Sequence, residues 1–322
     1  MKPVNRYLRN ARFAIQYWLM TARSRSISCF RLILQMSIII WVNTCGKSFG
    51  KDIKTLRKIK NMSEQNNNEI VTLTLNPTID ISSSVKQVMP DKKLRCAQPR
   101  YEPGGGGINV ARAIKKLGGE SLAFYLSGGS NGKLLHNLLK HEKIRQFALK
   151  IEGVTRYDFT VLEDSSNQQF RFVMPGPPLE QEEWEQALEE VENLDPPPDY
   201  IVGSGTLPPN VPEDFYARLA KVAQNIGSRA IIDTSGEPLK LAVDAGVFLV
   251  KPNMNELETL AGNEINNEFT VEDAAKEVFQ HHETEVVVVS LGASGAKFIT
   301  RDMSEEFPSP PVRIQSRVGA GD

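Results

Sequence analysis

From Glu69 onward the chain alternates short, continuously apolar runs with longer stretches in which apolar residues recur every three or four positions. Ile70–Leu75 is rich in β-branched residues, reads as a strand and stops at Asn76-Pro77. Ser82–Val88 and Lys93–Tyr101 read as more polar strands around a Pro90-Asp91 turn. Four glycines, Gly104 to Gly107, then run into Ile108–Leu117, where Ile108, Ala111, Ile114 and Leu117 fall near helical spacing until Gly118-Gly119 ends it. Further strands are predicted at Ser121–Leu126, Thr155–Leu162, Gln169–Val173, Tyr200–Val202, Ala230–Asp233, Val247–Val250 and Val286–Leu291. The helices predicted between them are Gly132–His141, an acidic Leu179–Leu194, Phe215–Ile226, Leu239–Ala245 and Glu272–His281.

Strands that alternate with helices and are apolar throughout their length belong to a mostly parallel sheet covered on both faces. The fold class read from this rhythm is α/β, with a doubly wound, mostly parallel sheet. The polar strands near 82–101 and 155–173 break the rhythm twice and suit a small separate sheet that covers something. In open α/β sheets ligands lie beyond the carboxyl ends of the strands, so residues that follow strands carry the functional interest.

Composition changes the picture at the N-terminus. The chain has 322 residues and a formal charge of −1, with 40% hydrophobic residues, which excludes disordered and disulfide-scaffold classes. Residues 1–61 hold 13 Lys/Arg against Asp52 alone, a charge of +12, so residues 62–322 carry −13. Residues 1–61 therefore read as an appended basic extension: a targeting peptide, an overlong reading frame upstream of Met62, or a basic arm. The apolar run Leu32–Val42 is about half of the ~20 residues that a membrane span needs, so no stable insertion is expected. Gly46-Lys47-Ser48 ends like a phosphate-binding loop, but Trp41 stands where its first glycine belongs. Three cysteines form no paired framework and point to a reducing, cytoplasmic setting. The four histidines show no metal-ligand spacing. Neither charge nor motif singles out nucleic acid as a partner.

Several loops carry candidate chemistry. Asp80 follows the first strand and is either a ligand for hydroxyls or a turn aspartate. Four consecutive glycines exceed what a turn needs and let backbone approach a ligand at a helix N-terminus. Asn109 can face a sugar hydroxyl or cap that helix. Val202–Pro209 places small residues directly after a strand. Asn253 and Glu256 follow Lys251-Pro252 and sit three apart at a helix start, as ligands for a hydrated Mg2+ or as a capping box. Ser290, Gly292 and Gly295 follow the last apolar strand and suit a nucleotide. Gly319-Ala320-Gly321-Asp322 would form an anion hole beside a carboxylate base if a helix began there.

Taken together, Thr74–Asp80, Pro103–Arg112, Lys251–Glu256 and Gly319–Asp322 closely resemble the ribokinase-like (PfkB) carbohydrate kinase family, over roughly 70–322 and in the family's order. The resemblance implies a ribokinase-like sheet with a small β lid, and Mg2+- and ATP-dependent phosphorylation of a sugar hydroxyl. It assigns the base to Asp322 and the anion hole to Gly319, Ala320 and Gly321. Asn253 and Glu256 become magnesium-organising residues, and Lys251, Asn253, Ser290, Gly292 and Gly295 become contacts to ATP. Asp80, Gly105, Gly106 and Asn109 become sugar contacts. Domain organisation follows as an extension, 1–61, and an incomplete kinase domain, 62–322.

Substrate choice turns on cations. Lys93 and Arg95, two apart on one predicted lid strand, and Arg156 on another suit a phosphate dianion, unless they are solvated lid charges. Family members acting on fructose 1-phosphate or tagatose 6-phosphate carry a lysine where this chain has Gly106. Lys93–Cys96, the four glycines and Arg171–Gly176 resemble instead the minor bacterial 6-phosphofructokinases, so the expected substrate is a small sugar phosphate, fructose 6-phosphate. A homodimer through the β lid is the expected assembly. Family chains continue past Gly-Ala-Gly-Asp, so the C-terminal helices are expected to be missing from this chain, which leaves an inactive sugar-phosphate or nucleotide-binding protein as the alternative class.

Overall fold

The computed structural model describes residues 69–309. Two sheets organise them. The larger has nine strands: β1 (Ile70–Thr74), β4 (Leu122–Ser127), β5 (Arg145–Lys150), β8 (Tyr200–Ser204), β9 (Arg229–Asp233), β10 (Leu249–Val250), β11 (Val286–Ser290), β12 (Gly295–Ile299) and β13 (Ser304–Pro308). Their order is β13-β12-β11-β10-β9-β8-β1-β4-β5, parallel except for β12 and β13, which return antiparallel at one edge. Sequence order runs outward in both directions from β1, which pairs with β4 on one side and β8 on the other. That reversal of direction is the switch point at which a crevice opens beyond the strand ends.

The sheet's hydrophobicity explains its burial. All five residues of β1 and all six of β4 are buried, so neither strand shows the alternation of a half-solvated sheet. Each fully buried Val, Leu, Ile or Phe contributes about 1.5–3 kcal/mol of apolar transfer. One face is covered by α3 (Gln181–Glu192), α4 (Phe215–Asn225), α5 (Glu237–Asp244), α6 (Met254–Ala261) and α7 (Val271–His281), which pack Trp184, Phe215, Leu239, Leu257 and Val278 into one cluster with Leu73 and Val287. The other face is covered by α1 (Gly106–Lys116) and α2 (Gly129–His141), through Val110, Ile114 and Leu135. Thr270 and Asp273 cap α7 reciprocally, a box visible as T-x-x-D in the sequence.

The small sheet is the predicted lid. Its order is β3-β2-β6-β7, from β2 (Thr78–Val85), β3 (Arg100–Gly104), β6 (Arg156–Glu163) and β7 (Gln168–Val173). β2 continues almost directly from β1 and carries the chain out of the large sheet.

One expected strand is corrected. Lys93–Tyr101 is not a strand; only Arg100 onward joins the ladder, and Lys93 and Arg95 lie on an exposed loop. The reason is local: Pro99 has no N–H for a ladder, and a single backbone bond, Ala97 N to Ser84 O at 2.8 Å, ties the loop to β2. β5 and β13 are the sheet's two edges and β12 lies between β13 and β11; all three are strands that the apolar pattern does not mark. β5 reads Arg-Gln-Phe-Ala-Leu-Lys, with charges at both ends, as a solvated edge allows.

Candidate active site

A cavity of about 1060 Å3 lies between the carboxyl ends of β8–β11 and the inner face of the lid. The large sheet contributes Ser204, Asp233, Lys251 and Ser290, each at or just after a strand end. The lid contributes every second residue of β6 and β7, and a longer stretch of β2. Thr78, Asp80 and Ser82 of β2 stand beside Arg156, Asp158 and Thr160 of β6, in parallel register. The intervening residues, among them Tyr101, Tyr157 and Phe172, point to the opposite face and are 45%, 46% and 49% exposed.

Each glycine of the Gly104–Gly107 loop is required by a different neighbour. A Cβ on Gly104 would meet the Asp80 carboxylate, and one on Gly107 would stand 2.7 Å from the Leu73 carbonyl oxygen. On Gly106 it would meet Ser204 Oγ and lie 2.7 Å from the Ser204 carbonyl carbon. Gly105 is the N-cap of α1, with φ 112°, a conformation that only glycine adopts without strain. The loop therefore packs backbone against β1, β2 and β8 and brings the positive end of α1 to the cavity wall. Thr74 Oγ1 accepts from Ile108 N at 2.9 Å, which fastens the first turn to β1. Asn109 lines the cavity and does not cap α1, because Gly105 holds that position.

The electrostatics are those of a guarded anion site. Asp80 is pushed up to about 6, first by burial and then by Asp158, against the opposing pull of Arg171, Arg156 and Arg112. Asp158 is nearly sealed, with 4% of its side chain exposed, and receives Arg156 Nη1 at 3.0 Å, while Arg171 Nη2 stands at 3.9 Å. Arg156 Nε and Thr78 Oγ1, on adjacent strands, are both buried without a hydrogen-bond partner. Buried polar atoms are nearly always paired, and these two belong to residues that line the cavity, unlike the orphaned Thr72 Oγ1 and Thr284 Oγ1 elsewhere, so a ligand that reached them would supply their partners. Lys251 Nζ stands 3.2 Å from Asp233 Oδ1 in a largely buried pair.

Asn253 and Glu256 form the capping box of α6. Asn253 Oδ1 accepts from Glu256 N at 2.9 Å, and Glu256 Oε2 accepts from Asn253 N at 2.8 Å. Both still line the cavity. The two readings of their spacing are thus compatible: the box aims the glutamate, and its second oxygen is left for another task.

A model of the pfkB family of carbohydrate kinases matches residues 65–322. The chain belongs to that family. It is similar to the ATP-dependent 6-phosphofructokinase isozyme 2 of Mycobacterium tuberculosis, at 45% identity over 79% of this chain and 74% of that protein. Among solved structures it is similar to phosphofructokinase-2 from Escherichia coli in complex with fructose-6-phosphate, with a TM-score of 0.74, 40% identity and coverage of 79% and 84% of the two chains. The tetrameric inhibited form of the same Escherichia coli protein matches with a TM-score of 0.73, 40% identity and coverage of 79% and 84%.

Within this pfkB-family fold the predicted site residues divide into three groups. Asp80, Gly105, Gly106, Asn109, Arg156, Lys251, Asn253, Glu256 and Ser290 line one cavity. Lys93, Arg95, Gly292 and Gly295 do not line it. Lys93 and Arg95 are held away by the loop that replaces their predicted strand, and Gly292 and Gly295 begin the turn and return strand after β11. Gly319, Ala320, Gly321 and Asp322 lie outside the described residues. Sequence reasoning overlooked Asp158 and Asp233, and it quoted Arg171 for the resemblance without giving it a place in the site. Asp158 had a signal, since it shares a strand face with Arg156 two residues earlier. Asp233 ends a strand, the position that the fold favours for function.

A nucleotide and its metal fit the residues present. Among the described residues no cluster of three or more His, Cys, Asp or Glu forms a metal cage. A cage is not what Mg2+ requires in a phosphotransferase, where one or two carboxylates and the substrate phosphates complete a hydrated ion. Glu256, with an oxygen beyond its capping bond, would be such a carboxylate. Among the described residues no helix is long and apolar enough to cross a membrane.

Proposed function

We propose that this chain is an ATP-dependent 6-phosphofructokinase, transferring the γ-phosphoryl of ATP to the C1 hydroxyl of fructose 6-phosphate and releasing ADP and fructose 1,6-bisphosphate. The observation that carries the reading is the lid's inner face. It sets the Arg156 guanidinium, whose Nε is buried without a partner and whose Nη2 makes only a 3.5 Å contact to Asn76 O, near the carboxylate of Asp80, above a glycine loop too tightly packed for a lysine. A dianion and a polyol are the ligands that such a wall selects. Similarity to 6-phosphofructokinases supports the same substrate.

Each residue then has a task. Asp80 and Asn109 hold sugar hydroxyls, Arg156 holds the 6-phosphate, and the α1 terminus with Gly105 and Gly106 lets the sugar lie against backbone. Lys251 faces the phosphates of ATP, with Asn253 and Ser290 beside it. Asn253 and Glu256 are the residues that would hold Mg2+, which would supply charge neutralisation at the transferring group. Asp322 takes the hydroxyl proton as the C1 oxygen bonds to phosphorus, and Gly319, Ala320 and Gly321 donate N–H groups to the phosphoryl oxygens. Transfer of this kind depends chiefly on positioning and charge neutralisation.

The kinase domain occupies residues 62–322, the extension 1–61 is dispensable for its fold, and the enzyme works in the cytoplasm. The exposed Tyr101, Tyr157 and Phe172 support a homodimer through the outer lid face. An ADP-release assay with fructose 6-phosphate, fructose 1-phosphate and tagatose 6-phosphate tests the proposal. The highest kcat/KM is expected for fructose 6-phosphate, and a preference for either of the others would overturn the substrate assignment.

A further inference from the structure

The acidic residue at the centre of the lid has no task in the reading above. Asp158 lies on the same strand face as Arg156, two residues on, and its carboxylate receives Arg156 Nη1 on both oxygens, at 3.0 and 3.2 Å. Its Oδ1 also accepts from Met174 N at 3.1 Å, and Arg156 Nη1 donates to Met174 O at 3.0 Å. One nitrogen of the guanidinium is thus fully occupied by the protein. The other edge is not: Nη2 makes only a long contact to Asn76 O, at 3.5 Å, and Nε is buried with no partner. Nε–H and Nη2–H are parallel and form the edge that grips two oxygens of a phosphate at once.

We propose that Asp158 is the positioning residue of the sugar-phosphate subsite, clamping Arg156 by Nη1 so that its Nε–Nη2 edge is held ready for the ligand's phosphate. The inference rests on the functional reading above and adds to it the residue that sets the geometry of phosphate capture. Both Asp158 oxygens are taken by Arg156 Nη1, and Oδ1 also by Met174 N, and a carboxylate repels a phosphate dianion, so Asp158 acts through Arg156 rather than by touching the phosphate itself. An arginine without the clamp would have several rotatable bonds to fix upon binding, and that ordering would weaken the complex. The clamp carries a second effect, because Asp158 stands directly across from Asp80 in the β2–β6 register. The charged groups around Asp80 are Asp158 and Arg156 from β6, Arg171 from β7, Arg112 from α1 and, opposite on β3, Glu102. Removing the Asp158 charge therefore lets Asp80 ionise at lower pH.

The test uses the full 322-residue chain and titration calorimetry with fructose 6-phosphate and, separately, ATP, so that it does not depend on turnover. Asp158→Asn keeps the shape and an acceptor for Met174 N but loses the charge. It is expected to weaken fructose 6-phosphate binding by at least about tenfold, as loss of a charge-assisted pair does, and to leave ATP binding within about twofold. The acid limb of fructose 6-phosphate affinity should also move to lower pH, which a merely structural lesion would not cause. In an Arg156→Ala background, adding Asp158→Ala should change affinity by less than about twofold, because the residue being positioned is gone. That double variant leaves no unpaired buried charge and remains measurable even where Asp158→Asn does not fold. Wild-type-like affinity of Asp158→Asn, or an undiminished loss in the Arg156→Ala background, would overturn the clamp while leaving the kinase reading intact. A wild-type chain that does not bind fructose 6-phosphate would overturn both.

Discussion

Replacing Asp80 by asparagine should make the protein more stable and less able to bind its substrate. The carboxyl is raised from 3.8 to about 6 by burial and by Asp158, so the folded state disfavours its ionised form. At about 1.4 kcal/mol per pKa unit, the ceiling on that penalty is about 3 kcal/mol at pH 7.5. The sign follows from linkage. Because the folded-state pKa exceeds the unfolded one, the stabilisation from proton binding is complete below about pH 3.8 and lost as the pH rises through about 6. Asparagine is nearly isosteric and carries no charge at any pH, so its advantage should grow over the same window. Urea melts of the two full-length proteins should differ by about 1.5 kcal/mol at pH 5 and by up to about 3 kcal/mol at pH 7.5, in favour of Asp80→Asn. Fructose 6-phosphate should bind the variant roughly ten- to a hundredfold more weakly, because a charged acceptor for its hydroxyls has gone. A stability difference that does not change with pH would refute the electrostatic account. An asparagine variant of undiminished affinity would remove Asp80 from the sugar site.

Gly106→Ala should cost about 1–3 kcal/mol in a thermal or urea melt, since its Cβ would sit 2.7 Å from the Ser204 carbonyl carbon and backbone must move to admit it; an unchanged melt would contradict the packing described. Glu256→Gln keeps an oxygen for the α6 cap but loses the charge, so the Mg2+ concentration for half-maximal activity should rise at least about tenfold with little change in melting temperature. In a chain extended past Asp322 as other family members are, Asp322→Asn should lower kcat by about 10²–10⁴ while dissociation constants stay within a few-fold, and near-normal turnover would remove it as the base. Deleting residues 1–61 should leave folding intact and raise soluble yield; a lower melting temperature would instead place the apolar run Leu32–Val42 against the domain.

What the sequence determined by itself was whatever depends on spacing along the chain. Apolar runs separated by helical periods marked the parallel sheet because strands buried on both faces need no alternation. Four glycines ahead of Ile108 marked a close backbone approach, and Asn253-x-x-Glu256 marked a helix start, because both are local geometries. Tertiary structure decided what depends on residues distant in sequence meeting. Asp80 and Asp158 face each other because β2 and β6, some eighty residues apart, pair in parallel with one register among several that the polar lid strands would have allowed. That register turns a strand-face aspartate into a clamp for Arg156 and raises the Asp80 carboxyl. Lys93 and Arg95 illustrate the converse. Their two-residue spacing would align them on a strand, but Pro99 and a solvated loop deny them a ladder, and of the three lid cations that the sequence singled out only Arg156 lines the cavity.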